Sequence, residues 1–369
     1  MTFNPPKRLL MGPGPSDVNP RVSLALAKPI IGHLDPAFLQ LMDEVQAMLR
    51  VLFNTENRLT IPVSGTGSAG MEAIFVNLLE PGDKIIIGVH GVFGTRMVDL
   101  AKRCGAEVIE IHAEWGTALN PDDIEKAAID HPDAKALALV HAETSTGVLQ
   151  DIEPISQIAK KHDLLLMLDA VTSLAGVPVL LDEWGVDACY SGTQKCLSCP
   201  PGLAPVSFSD RAVSVLQSRK TRVQSWYFDM NMVASYWTGG NRAYHHTAPI
   251  NMNYALHEAL CLVLEEGVET RFLRHREMSQ RLWTGLSRLG FEPLVDEAVR
   301  LPQLNAVTLP ESIDEAALRK RLLTDFDIEI GAGLGPLAGK IWRIGLMGDS
   351  CTSAHVDALL AALAECLEA

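Results

Sequence analysis

Apolar residues recur along this chain in two rhythms. Over residues 36–52, Phe38, Leu41, Met42, Val45, Met48, Leu49 and Leu52 lie three and four positions apart, which predicts one buried face of an α-helix. Short runs rich in Ile, Val, Leu and Ala stand at 59–63, 84–89, 107–111, 136–141, 164–168, 188–191 and 203–208. Such short, mostly apolar runs predict strands of a sheet covered on both faces. Helical spacing between them predicts helices over 69–79, 95–103, 121–129 and 155–161, with Glu80-Pro-Gly-Asp83 as a turn and Gly105 as a helix stop. Strands alternating with helices predict an α/β fold, a mostly parallel seven-stranded sheet flanked by helices. Such sheets bind ligands beyond the carboxyl ends of their strands.

The texture changes after about residue 250. A helical stretch over 250–289 reads as a connector. It is followed by strand 306–309, helix 314–324, strands 328–330 and 341–346, and helix 353–367. This pattern predicts a smaller α+β domain. The expected division is an N-terminal arm at 1–20, a large domain at 21–260 and a small C-terminal domain at 261–369. No repeat, low-complexity tract or long Gly/Ser linker interrupts it.

Composition narrows the function. The chain has 369 residues, 47% of them hydrophobic, and a net charge of −14 with Lys and Arg scattered. That balance argues against nucleic acid, and no polybasic or spanning apolar run points to a membrane. The start, Met1-Thr-Phe-Asn-Pro-Pro, lacks a signal-peptide pattern, and the end is not Ser-Lys-Leu, so a cytoplasmic location is expected. The cysteines number seven and lie mostly in apolar segments, as reduced thiols do. Cys196-Leu-Ser-Cys199 has no second pair to complete a structural zinc site and reads as incidental.

Candidate chemistry gathers at the ends of the predicted strands. The run Tyr190-Ser-Gly-Thr-Gln-Lys195 follows the apolar stretch 186–189, and upstream the run 164–168 ends at Asp169. A carboxylate at the tip of one buried strand and an amine just past the next suit pyridoxal phosphate. The carboxylate keeps the pyridine nitrogen protonated, and the amine forms a Schiff base. Alone, Asp169 could be a turn cap and Lys195 a surface charge; their joint placement carries the reading.

Several loops fit the same ligand. Ser64-Gly-Thr-Gly-Ser-Ala-Gly70 joins a strand to a helix, so N–H groups at the helix start can cradle a phosphate, with Thr66 and Ser68 adding hydroxyls. It is neither a Walker loop nor GxGxxG. In His141-Ala-Glu-Thr-Ser-Thr-Gly147, Thr144 can bond a phenolic oxygen on a cofactor ring or turn back on its own backbone. In Gly91-Val-Phe-Gly-Thr95, Phe93 can stack on a planar ring or fill the core. Tyr244-His-His-Thr247, after Arg242, offers polar anion contacts rather than a metal site, because adjacent histidines rarely share one ion. Arg343, amid the apolar run 341–346, needs a partner: an internal carboxylate, or a substrate carboxylate held bidentately.

Taken together, these residues resemble the class V aminotransferases of fold type I pyridoxal-phosphate enzymes, and more narrowly the alanine–glyoxylate (serine–pyruvate) group. The resemblance runs nearly end to end. It includes Met11-Gly-Pro-Gly-Pro15, Pro29-Ile-Ile-Gly-His33, the 64–70 loop, Ser145-Thr-Gly-Val-Leu149 and Tyr190 to Lys195. It continues through Pro200-Pro-Gly202, Ser218-Arg-Lys-Thr221, Tyr244 to Thr247, Gly331-Ala-Gly-Leu-Gly335 and Arg343-Ile-Gly-Leu346.

The resemblance implies roles for individual residues. Lys195 matches the Schiff-base lysine and Asp169 the pyridine-nitrogen partner, with Val171 against the ring. Thr66, Gly67, Ser68 and Gln194 match phosphate binders, Phe93 the stacking position and Thr144 the position near the phenolic oxygen. Arg343 matches the substrate-carboxylate arginine, with Gly14 and His33 also assigned to substrate. Tyr244 and Thr247 match residues that reach the phosphate of a neighbouring subunit, which implies a homodimer with shared sites.

This pattern departs from animal members of the group: Phe93 stands for Trp, Ser68 for His, Thr66 and Thr144 for Ser, and Cys196 for Ala. The last makes oxidant sensitivity beside Lys195 an expectation. The expected reaction is a ping-pong transfer of the amino group of alanine or serine to glyoxylate, with Lys195 moving the α-proton. (S)-Ureidoglycine is an alternative donor. A cysteine desulfurase fits less well, since the 332–339 loop has no Cys. A zinc-dependent deaminase, suggested by His141-Ala-Glu143 with Cys196 and Cys199, is the remote rival.

Overall fold

The computed structural model describes residues 2–238 and 242–368. Its centre is one sheet of seven strands: β1 (Leu59–Ser64), β2 (Lys84–Val89), β3 (Glu107–His112), β4 (Ala136–Val140), β5 (Leu165–Asp169), β6 (Ala188–Tyr190) and β7 (Leu203–Phe208). They lie in the order β1-β7-β6-β5-β4-β2-β3, and only β7 runs antiparallel to its neighbours. The period of two along each strand explains the apolar runs. Leu137, Leu139, Leu166 and Leu168 feed one apolar layer. Ala136, Ala138, Leu165 and Met167 feed the layer on the opposite face. With both faces covered, a strand has no position left for a polar side chain until its end. That is why Asp169 closes β5.

A second, antiparallel sheet contains β8 (Glu292–Pro293), β9 (Leu304–Thr308), β10 (Gly331–Ala332) and β11 (Ile341–Gly345), ordered β8-β9-β11-β10. Trp342 of β11 is fully buried and belongs to a third apolar cluster with Phe291, Val307 and Leu363.

Three features differ from the sequence reading. The stretch 250–289 is two helices, Ile250–Glu266 and Val268–Arg288, separated at Gly267, whose φ of +85° breaks the ladder where apolar spacing gives no warning. Short helices Pro20–Leu26, Asp210–Gln217 and Met230–Trp237 escaped notice because two turns are too few to show a period, although Asn19, Ser209 and Asp229 cap them. The expected strand at 328–330 does not join the small sheet; Ile328–Glu329 pairs in parallel with Leu9–Leu10 near the N-terminus.

That pairing makes the N-terminal segment a strap. Met11 N donates to Glu329 O (2.9 Å) and Gly345 N donates to Met11 O (2.7 Å). Further along, Ser16 N donates to Gln194 O (2.9 Å), so the strap reaches from the small sheet to the loop carrying Lys195. Among the described residues, no helix is long and apolar enough to cross a membrane. A Cβ at Gly345 would meet Gly12 O at 1.9 Å. Gly345→Ala is therefore expected to loosen the strap at an overpacking cost of about 1–3 kcal/mol. The checks are a lower urea midpoint and faster limited proteolysis within residues 9–16; wild-type cleavage kinetics would contradict the strap.

Candidate active site

β5 and β6 run side by side, with Asp169 in register with Tyr190. Tyr190 Oη donates to Asp169 Oδ2 (2.6 Å) and Val171 N donates to Asp169 Oδ1 (2.8 Å). These bonds favour the ionised form, but burial outweighs them and pushes the carboxyl up to about 7. Lys195 lies on the loop after β6, 8% exposed, with Nζ donating to Pro13 O. Burial first, then the charge of Arg343, lowers its amine to about 8. An acid and a base near neutrality thus sit close together. Gly14 backs Lys195: its φ is +107°, and a Cβ there would lie 2.8 Å from Lys195 Cδ.

Asp169 and Lys195 open onto a cavity of about 210 Å³ that is also lined by Thr66, Gly67, Ser68, Phe93, Val171 and Gln194. The start of helix Gly67–Leu78 points donors at this space. Thr66 occupies the N-cap yet makes no side-chain cap bond; Ala69 N donates to Thr66 O (2.8 Å), which leaves the Thr66 hydroxyl and the N–H groups of Gly67 and Ser68 uncommitted among the described residues. Gly67 lets the helix start come close: its Cβ would stand 3.2 Å from Val171 Cγ2. Gln194 Oε1 is buried without a partner, and turning that amide would present its NH₂ instead. An anion at this point would satisfy all of these groups.

Arg343, in β11, is 7% exposed. Nε donates to Ala332 O (2.8 Å) and Nη1 to Thr144 O (3.3 Å). No carboxylate pairs with it among the described residues, so the internal ion pair weighed from sequence is not formed. Burial lowers its guanidinium to about 10. Thr144 stands apart from the cavity lining, its hydroxyl bonded to that of Thr172.

Tyr244, Thr247 and His33 are not brought to the Lys195 cavity within this chain. Tyr244 is 60% exposed; its ring lies 5.0 Å from that of His33, and its hydroxyl lies 3.4 Å from that of Thr247.

The family model described as aminotransferase class-V matches residues 24–343. The chain belongs to the class-V aminotransferases. It is 41% identical over 376 residues to an (S)-ureidoglycine–glyoxylate transaminase of Bacillus subtilis, covering 97% of this chain and 90% of the relative. It is 40% identical over 366 residues to an alanine–glyoxylate aminotransferase of Felis catus, covering 98% and 88%. The solved structure of an alanine–glyoxylate aminotransferase from Nostoc sp. superposes with a TM-score of 0.98 at 48% identity, covering 100% of this chain and 97% of that one. The fold is that of fold type I aminotransferases, and the protein is a transaminase.

Family membership sets the deaminase reading aside. Cys196 and Cys199 of this aminotransferase are buried thiols that burial pushes up to about 12. A protonated, enclosed Cys196 argues against the oxidant sensitivity expected from its position beside Lys195. Sequence reasoning gave Tyr190 and Arg96 no role of their own and read Glu143 only as part of the deaminase pattern. Tyr190 holds Asp169. Glu143 accepts from the backbone at Phe93. The guanidinium of Arg96 lies 5.0 Å above the Phe93 ring and within 3.3 Å of Ser68 Oγ. The three-residue spacing of Phe93 and Arg96 on one helix was the available signal for the last.

The raised Asp169 carboxyl has a signed consequence in ligand-free aminotransferase. Below about pH 4 both folded and unfolded chains keep that proton. As pH rises toward 7 the unfolded chain releases it while the folded one holds it, so this contribution to stability is lost. Asp169→Asn lacks the titration and should gain on wild type by on the order of 3 kcal/mol from about pH 4.5 to about pH 8. Urea midpoints across that range provide the measurement; parallel curves would refute the shifted carboxyl.

Proposed function

We propose that this aminotransferase uses pyridoxal 5'-phosphate to move the amino group of a small L-amino acid, alanine or serine, to glyoxylate. The products are glycine and pyruvate or hydroxypyruvate. The carrying observation is the cavity that joins a buried carboxyl near 7, a buried amine near 8 and an uncommitted helix start. These residues fit the cofactor. Thr66, Gly67, Ser68 and Gln194 would hold the phosphate, Phe93 and Val171 the ring faces, Asp169 the ring nitrogen and Thr144 the side of the phenolic oxygen. Lys195 would make the covalent attachment. Bound there, the cofactor supplies an electron sink for the charge left when an α-proton departs.

The chain's own groups do the rest. Asp169 would ionise against the ring N–H, because a cationic partner offsets the cost of burying the carboxylate. Lys195 Nζ, with its proton affinity lowered by burial, is free base in useful amount near neutral pH. It would take the α-proton and return it one atom away. Arg343 would orient the substrate carboxylate with the guanidinium edge that no carboxylate of the described residues uses, and Gly14 would complete the substrate side; His33, beside Tyr244 and outside this cavity, would reach a substrate only in a second subunit. Relatives named for alanine support the donor choice, and the B. subtilis relative favours (S)-ureidoglycine as the second reading.

Further parts of this proposal concern assembly and setting. The exposed hydroxyls of Tyr244 and Thr247 would serve the phosphate site of a second subunit in a homodimer, a role supported by their position outside their own cavity. A small domain apart from the large one, expected at 261–369 beside 21–260 and an arm at 1–20, is supported by the third apolar cluster, which draws on Met11 and on residues from 282 to 366; the helix Ile250–Glu266 crosses the expected boundary at 260 and keeps Val263 in the first cluster. Seven free cysteines suit a reducing compartment such as the cytoplasm.

The test is the visible spectrum of the purified protein, with L-alanine, L-serine and (S)-ureidoglycine added separately. A yellow protein bleached fastest by alanine or serine, and restored by glyoxylate, is expected. Bleaching by ureidoglycine alone would establish the second reading, and a protein left colourless after added pyridoxal phosphate would overturn both. Lys195→Ala should retain bound cofactor while transfer falls by about 10²–10⁴-fold or more.

A further inference from the structure

The turn between the short strands Ala142–Glu143 and Val148–Leu149 touches both halves of the site. Glu143 is 0% exposed and uses both carboxylate oxygens as acceptors. Oε1 accepts from Ser145 N (3.0 Å) and Ser145 Oγ (2.6 Å), and Oε2 accepts from Phe93 N (3.2 Å). Ser145 Oγ in turn accepts from Val92 N (3.0 Å). Val92 and Phe93 open the helix Val92–Arg103, so the turn satisfies N–H groups that no helical carbonyl can reach, and places an acidic group at the positive end of the helix. The packing is tight: a Cβ on Gly91 would lie 2.4 Å from Glu143 Cδ and 2.5 Å from Ser145 Oγ. Between these anchors, the carbonyl of Thr144 accepts from Arg343 Nη1 (3.3 Å).

We propose that Glu143 is a positioning residue of the transfer reaction. By pinning the helix start that carries Phe93 and fixing the Thr144 carbonyl, its carboxylate sets where Arg343 receives the substrate carboxylate relative to the cofactor face. This rests on the function proposed above. Burial raises the Glu143 carboxyl, and the bonds from Ser145 and Phe93 N oppose that rise; no ion pair joins it to Arg343 among the described residues, so the guanidinium, held by the carbonyls of Ala332 and Thr144, keeps a free edge. Glutamine cannot replace it. An amide offers one acceptor oxygen where two are used, and leaves either Phe93 N or the Ser145 donors unmet.

The experiment uses holoenzyme and propionate, which has a carboxylate but no amine to exchange. Binding is read as a saturable change in the absorption of the bound cofactor. Glu143→Gln should weaken propionate by about tenfold and raise KM for L-alanine in parallel, with cofactor content unchanged. Ser145→Ala keeps the carboxylate but removes one of its donors, and should weaken propionate by about threefold. If Glu143→Gln does not fold, Ser145→Ala carries the comparison. Wild-type propionate affinity in a folded, cofactor-loaded variant overturns this proposal alone. Wild-type protein that never takes up cofactor overturns the functional reading and this inference with it.

Discussion

The structure depends on keeping four ionisable groups dry where the carboxyl edge of the large sheet meets β11 of the small one. Lys195, Asp169, Glu143 and Arg343 are all buried. Removing such groups from water costs several kcal/mol each unless other dipoles replace the lost hydration. Here the replacements are fixed: Tyr190 and Val171 N at Asp169, Ser145 and Phe93 N at Glu143, the Pro13 carbonyl at Lys195, and the carbonyls of Ala332 and Thr144 at Arg343. Most of these partners are backbone atoms or short side chains, so they hold position only because the surrounding sheet and helices do. A transaminase site is an expensive arrangement that a well-packed core makes tolerable.

The expense brings reactivity. Burial moves the Asp169 carboxyl and the Lys195 amine toward each other in acidity, to about 7 and about 8. A carboxyl and an amine held near neutrality by burial mark a site where the gain or loss of one proton is easily made. The same edge carries the uncommitted helix start at Thr66 and the close approach at Gly67, so a phosphate and a ring would meet preformed surroundings. Two elements tie this edge to the small sheet. The strap from Leu9 to Ser16 joins the small sheet to the Lys195 loop, and the 143–145 turn joins Arg343 to the Phe93 helix.

Much of this was legible in the sequence, for identifiable reasons. The central strands Ala136–Val140 and Leu165–Asp169 showed because burial on both faces leaves little room for polar side chains before their ends, whereas the half-exposed edge strand Glu107–His112 showed by its Val and Ile between glutamates. Lys195 and Asp169 showed because both stand just past such ends. Eight of the expected residues, namely Thr66, Gly67, Ser68, Phe93, Asp169, Val171, Gln194 and Lys195, line one cavity. Gly267 did not show, since one glycine between two amphipathic helices leaves the apolar spacing unbroken. The pairing of Leu9–Leu10 with Ile328–Glu329 did not show, since a two-residue strand has no period and its partner lies far along the chain.

The sequence by itself determined the alternation of strands and helices, the glycine-rich helix start, and the residue types that can hold a phosphate, a ring nitrogen and a carboxylate. These are local properties, set by the period of apolar positions and the chemistry of single side chains. Only the tertiary structure decided how far burial shifts Asp169 and Lys195. It alone left Arg343 without a carboxylate partner among the described residues and sent the Thr144 hydroxyl to Thr172 and its carbonyl to Arg343. It also made Glu143, Tyr190 and Pro13 part of the site. Those outcomes depend on desolvation and on hydrogen bonds between residues distant in sequence, and neither exists until the chain has folded around them.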